Sequence, residues 1–264
     1  MQVSALYQFP VKSLRGHAPV KLELDAYGAV GDRRWMLVDH SGKFVTQRRL
    51  RRMALLQASN TPLGLALADP DGNEISVPYP DDKAALIQIE IWGDHCTARD
   101  AGDSAAHWLE QRLQQQVRLV WMGPEHHRPV APDYNPDNAE VSFADGMPLL
   151  LIGQASLDDL NSRLQTPVNM LRFRPNIVVQ GAEPFAEDDW KKIRIGKLEM
   201  HVVKPCARCA IPGIDPLTAE ASSEPLKTLA DFRRWDDGQI YFGQNLVHRA
   251  TGCISLGDKI EILK

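Results

Sequence analysis

Cysteine is scarce: four thiols in 264 residues cannot make a disulfide scaffold, so a reducing compartment is expected. Long hydrophobic runs are missing too, and no stretch approaches the roughly 18 apolar residues that span a membrane. The N-terminus lacks the basic region and apolar core of a signal peptide, so the protein reads as cytoplasmic. Charge of one sign is not in excess. A formal net charge of -4 gives no general attraction to nucleic acid or to an anionic membrane, so any anion site has to be built locally. Internal repeats and low-complexity segments are also absent.

What is present is a soluble globular composition, 44% hydrophobic and 24% charged, long enough for one large or two modest domains. Short β-rich runs at 3–9, 20–24, 35–38, 53–58, 65–68, 75–77 and 86–91 are punctuated by Gly, Pro, Asn and Asp, the spacing of a barrel or sandwich. Asp39-His40-Ser41-Gly42 and Asp69-Pro70-Asp71-Gly72 read as hairpin turns. A helix over 104–113, capped by Ser104, closes this part, and 117–122 returns to strand. The polar stretch 123–139, with four prolines, is the linker candidate. Beyond it, strands at 148–152, 176–179, 192–195, 198–204 and 259–263 and a Ser156-capped helix over 156–164 make a second unit. The expected fold is α+β and β-rich, divided into 1–122 and 123–264.

Two of the four thiols stand together, in Lys204-Pro205-Cys206-Ala207-Arg208-Cys209-Ala210-Ile211-Pro212-Gly213-Ile214-Asp215-Pro216. A β-branched run ends at a proline, and the further Pro and Gly residues keep 210–216 out of a regular helix, which leaves the thiols on a braced loop. Arg208 between them favours the thiolate, the form that attacks electrophiles or binds metal. A structural zinc site wants four ligands, and neither Cys96 nor Cys253 has a second thiol near it. A thioredoxin-like dithiol would open a helix, for which Ala210-Ile211-Pro212-Gly213 is a poor start. A single thiolate ligand to a metal otherwise held by a cofactor, and two cysteines that merely pack, both remain open.

The charged residues gather in short motifs. Lys12-Ser13 comes after Phe9-Pro10-Val11 at the end of the first strand, and Asp32-Arg33-Arg34-Trp35 enters a strand. Gln47-Arg48-Arg49-Leu50-Arg51-Arg52 is a basic cluster without interleaved aromatics, so a local phosphate or carboxylate clamp is preferred to a nucleic-acid patch. Arg172-Phe173-Arg174-Pro175-Asn176 and Asp145-Gly146-Met147-Pro148 each precede a strand, and Gln244-Asn245 supplies two amides. Singly these are turn residues or ion pairs. Together they describe a surround for a ligand with an anionic phosphate and an amide-like ring edge, which fits a pterin-type cofactor.

Phe9-Pro10-Val11-Lys12-Ser13, Asp32-Arg33-Arg34-Trp35, Phe173-Arg174-Pro175-Asn176 and Cys206-Ala207-Arg208-Cys209 with Asp215-Pro216, in that order, resemble the two-part MOSC proteins. These include the bacterial YcbX-like proteins and the mitochondrial amidoxime-reducing component. The resemblance implies a β-barrel MOSC domain preceded by a smaller β-rich MOSC N-terminal domain. It also implies a molybdenum cofactor (Mo-molybdopterin) with Cys209 as metal ligand and Cys206 as neighbour. Lys12, Ser13, Arg33, Arg174 and Asn176 would hold its phosphate and pterin, with Asp145 and Arg48 added to them. The activity implied is reduction of small N-hydroxylated compounds. Asp215, six residues beyond Cys209, is either a proton relay or a turn carboxylate. Many YcbX-like relatives continue into a ferredoxin-type domain whose cysteines are missing here, so electrons are expected from a separate ferredoxin- or flavin-reductase-type protein. A cofactor or sulfur carrier without turnover is the alternative, and a metal-free sensor of phosphorylated ligands is a third class.

Overall fold

The computed structural model describes residues 1–136 and 138–263. Its largest element is a seven-stranded sheet in the order Gln2–Leu6, Ile177–Gln180, Leu149–Gly153, Tyr241–His248, Leu198–Ala207, Lys192–Ile195, Ile260–Leu263. The first and last strands approach each other: Val3 donates to the Asp258 carbonyl at 2.9 Å and Ile260 to that of Met1 at 3.1 Å. The sheet is therefore a nearly closed barrel, which leaves little edge exposed for pairing with another chain. Alternation along these strands sends Val3, Leu6, Leu151, Ile177, Ile193, Met200, Leu246 and Ile260 into one core. A small sheet of Gly252–Ser255, Lys21–Asp25 and Gly28–Ala29 covers it, adding Leu22, Leu24 and Ile254. Helices Gln154–Arg163 and Leu226–Arg233 cover a second cluster, with Leu157, Leu160 and Leu229 against Phe173 and Phe242.

The remaining strands belong to the first half of the chain. Trp35–Val38, Arg118–Trp121, Asp94–Asp100 and Leu86–Ile91 make a four-stranded sheet, and Gln57–Thr61, Gly64–Ala68 and Glu74–Pro78 a meander. Helix Asp103–Leu113 presents Ala105, Trp108, Leu109 and Leu113 to their shared core, the i, i+3, i+4 stripe read from the sequence. No helix among the described residues is long and apolar enough to cross a membrane.

Several local expectations are corrected. The sheets do not divide at residue 122: Gln2–Leu6 pairs with Ile177–Gln180, and Lys21–Asp25 with Gly252–Ser255. Strand runs reveal propensity, but partners are chosen by which apolar face each strand can bury. The 123–139 stretch is not a free linker either, since His126, Arg128 and Val130 are buried and Val130 donates to the Ala139 carbonyl at 3.0 Å. Neither serine caps its helix. Gly102 and Gly153 occupy the cap positions, while Ser156 lies inside, its hydroxyl on the Glu187 carboxylate at 2.7 Å. The same carboxylate accepts from the Gly153 N–H at 2.9 Å, so a distant Glu satisfies the helix start. Finally, the strand beginning at Leu198 does not stop before Pro205 but runs to Ala207, with register shifts at 202/204 and 205/207. A bulge accommodates the missing proline N–H.

Candidate functional site

Where the two halves meet, a cleft of about 810 Å³, counted out to its open mouth, is lined from both. Lys12, Ser13, Arg33, Arg48, Asp145, Arg174, Asn176 and Cys209 all line it, as do Cys206, Arg208, Asn245 and Trp92. Five cations, Lys12, Arg33, Arg48, Arg174 and Arg208, face one lining carboxylate, Asp145. In a chain of net charge -4 this is a local concentration of positive charge.

The backbone is bent to present these groups. Ser13, Arg33 and Arg174 have φ of 67°, 49° and 56°, the left-handed region that L-residues with side chains seldom occupy. All three line one cleft, and such backbone strain clusters at ligand-holding sites in general. Backbone hydrogen bonds tie two of these conformations. The Arg33 N–H donates to the Phe9 carbonyl at 2.8 Å, the Phe143 N–H to that of Arg33 at 3.0 Å, and Arg174 closes the turn Met170–Phe173 on the Leu171 carbonyl at 3.2 Å.

The side chains interlock. Arg33 Nη1 is 2.5 Å from Asp32 and 3.2 Å from Asn176 Oδ1, and Nη2 donates to the Arg174 carbonyl at 3.0 Å. The guanidinium groups of Arg33 and Arg174 lie 4.7 and 4.1 Å from the Phe9 ring centre, a cation–π contact that orients both. Arg174 spends Nη1 on the Leu14 carbonyl at 2.7 Å, yet among the described residues its buried Nη2, like Arg208 Nε, has no hydrogen-bond partner. Burial first, and Arg33 beside it, pull the Arg174 guanidinium down to about 9. A buried cation with an unspent donor is costly unless a ligand supplies the acceptor. Lys12 donates to the Phe143 carbonyl at 2.8 Å and pairs with Asp145. Burial lowers the Lys12 ammonium. Burial also pushes the Asp145 carboxyl upward, but Lys12, the Trp92 N–H and Arg33 outweigh it and hold that group well below the usual carboxylate range.

The two thiols are free and partly exposed. Arg208 donates to Cys206 Sγ at 3.1 Å and to the Phe173 carbonyl at 2.8 Å; among the described residues Cys209 Sγ has no such partner. No three His, Cys, Asp or Glu side chains converge as a metal site among the described residues, so a metal bound here would draw most of its ligands from outside the protein.

Family models match on both sides of this cleft: a MOSC N-terminal beta barrel domain over residues 1–116 and a MOSC domain over 138–261. The chain belongs to the two-part MOSC family. Mitochondrial amidoxime-reducing component 1 of Xenopus laevis is 34% identical over 277 residues, 98% of this chain and 81% of that protein. Its human counterpart is 33% identical over 279 residues, 99% and 82%, and human mitochondrial amidoxime reducing component 2 is 32% identical over 276 residues, 98% and 82%.

Not every residue singled out in this MOSC protein reaches the cleft. Asp215 does not line it. Its carboxylate accepts from Arg172 at 2.7 Å and from the Leu217 and Thr218 N–H groups at 2.8 and 3.2 Å, the bonding of a turn carboxylate. Gln244 turns to Asp188 at 2.7 Å, whereas Asn245 stays in the cleft. From the basic cluster only Arg48 lines the cleft; Arg51 and Arg52 are exposed on a short 3₁₀ turn. Trp92 was not anticipated. It comes from a hairpin 50 or more residues from any lining segment of the second half, and its sequence signal was a tryptophan where a two-residue turn prefers Asn.

Proposed function

We propose that this protein is a molybdenum-cofactor-dependent reductase of small N-hydroxylated compounds, served by a separate electron-transfer protein of the ferredoxin- or flavin-reductase type. The carrying observation is the cleft itself, cationic, strained and two-sided, lined by unspent guanidinium donors and by two free thiols. The donor set fits a pterin cofactor with a phosphate. Lys12, Ser13, Arg33 and Arg174 would take the phosphate through charge-assisted bonds, and the Asn176 and Asn245 amides would address the ring edge. Arg48 and Asp145 complete the surround. Cys209 is the thiol that would complete the metal's ligation, its Sγ lining the cleft without a hydrogen-bond partner among the described residues, and soft sulfur suits molybdenum.

Bound there, the cofactor supplies the two-electron chemistry that breaks an N–O bond. Overall, an N–OH group takes up two electrons and two protons and leaves as N–H and water. This chain's own contribution is positioning: guanidinium forks fix the cofactor, and Asp145 holds the Lys12 ammonium in place. The names of the amidoxime-reducing relatives, similar over nearly the whole of this chain, support the same reading.

The test is metal analysis and turnover on two variants. Protein from a host that makes the cofactor should carry molybdenum near one per chain. Cys209→Ser should abolish amidoxime reduction with an artificial donor, while Cys206→Ser should keep substantial activity. Stoichiometric zinc without molybdenum would sink the assignment, and bound cofactor without turnover would make the protein a carrier.

A further inference from the structure

The hairpin Leu86–Ile91/Asp94–Asp100 pairs Ile91 with Asp94, so its turn is Trp92-Gly93. Both turn residues have positive φ, 56° and 90°, the geometry that favours Asn-Gly. A tryptophan there is strained, and it is also 46% exposed. The usual reason for burying indole surface is therefore missing. Strain and exposure together mean that the turn presents this ring.

The ring is held with care. Trp92 Nε1 donates to Asp145 Oδ1 at 3.0 Å, Phe44 lies 5.1 Å away between ring centres, and the Arg48 guanidinium is 4.5 Å over the indole. Asp94, at the foot of the turn, accepts from Arg128 at 2.7 Å. Arg128 in turn donates to the Ser142, Ala144 and Asp145 carbonyls at 2.9, 2.7 and 3.0 Å. One buried guanidinium thus clasps the hairpin to the loop carrying Asp145. Trp92 and Arg48 line the same cleft as Cys206 and Cys209.

We infer that Trp92, braced by Arg48, is a specificity-determining wall of the cleft. It selects N-hydroxylated substrates whose N–OH carbon bears a planar aromatic group over those bearing a small alkyl group. The inference rests on the reductase reading. With the Arg48 guanidinium over one indole face, the exposed indole edge offers an edge-to-face contact to an aryl ring and nothing comparable to a methyl group.

Benzamidoxime and acetamidoxime share the reacting group and differ only in that substituent. With cofactor-loaded protein and an artificial donor, Trp92→Ala should raise KM for benzamidoxime about tenfold, with kcat and the acetamidoxime KM within about twofold. Trp92→Phe should recover most of the loss. Calorimetric titration with benzamidine, which cannot be reduced, should show the same weakening without turnover, at unchanged molybdenum content. Equal effects on both substrates, a fall in kcat alone, or unchanged benzamidine affinity would overturn the inference. Should wild type reduce neither amidoxime, the reductase reading fails by itself, and benzamidine affinity alone then decides whether Trp92 forms a ligand wall.

Discussion

Acid should weaken this protein through His126, behind the site. The imidazole is 2% exposed, packed edge-on against Phe143 at 5.2 Å and near Tyr27 at 6.1 Å between ring centres. Nδ1 is buried without a partner among the described residues, and Nε2 is 3.4 Å from the Val141 carbonyl. Burial first, then the charges of Arg128 and Arg34, hold the ring at about 4 against an ordinary 6.5. The folded state therefore keeps His126 neutral while the unfolded chain takes up a proton below 6.5. Stability falls as pH drops through that window and stops falling below about 4, where both states are protonated. The loss specific to this residue is about 2 to 3 kcal/mol between pH 7.5 and 4.5. Urea unfolding across that range, compared with His126→Leu, isolates it, because every other titrating group is common to both proteins. The variant should start less stable and show the shallower pH slope. Identical slopes would refute the reasoning and mean that water or relaxation already solvates the ring.

Two more outcomes test the site. Arg174→Gln should strip most cofactor from purified protein, seen as molybdenum per chain, without lowering the thermal midpoint of the cofactor-free protein at neutral pH, because it removes a cation with a buried, unspent donor; full cofactor retention would contradict this. Asp215→Asn should lose about 1 kcal/mol in denaturant titration, from its partly buried pair with Arg172. Turnover should stay within about twofold, and a collapse of turnover at full stability would return Asp215 to the catalytic residues.

Much of the site was legible before any coordinate. Lys12-Ser13, Asp32-Arg33, Arg174-Pro175-Asn176 and Cys206 to Cys209 are charged or reactive residues grouped in short motifs in an otherwise ordinary chain, and such local chemistry is written in the residues themselves. So were strand content and the apolar stripe of helix 103–113, because period-2 and period-3.6 burial act over a few neighbouring residues. Tertiary structure decided what depends on distant partners: that Gln2–Leu6 joins the seven-stranded barrel, that Glu187 rather than Ser156 satisfies the Gly153 N–H, and that Asp215 turns to Arg172. It also decided that Trp92 reaches the cleft and that Arg208 engages Cys206. Each is a choice among similar donors, acceptors or apolar faces. The chain within a few residues cannot rank those choices, because the free energy that separates them comes from burial and pairing across the two halves.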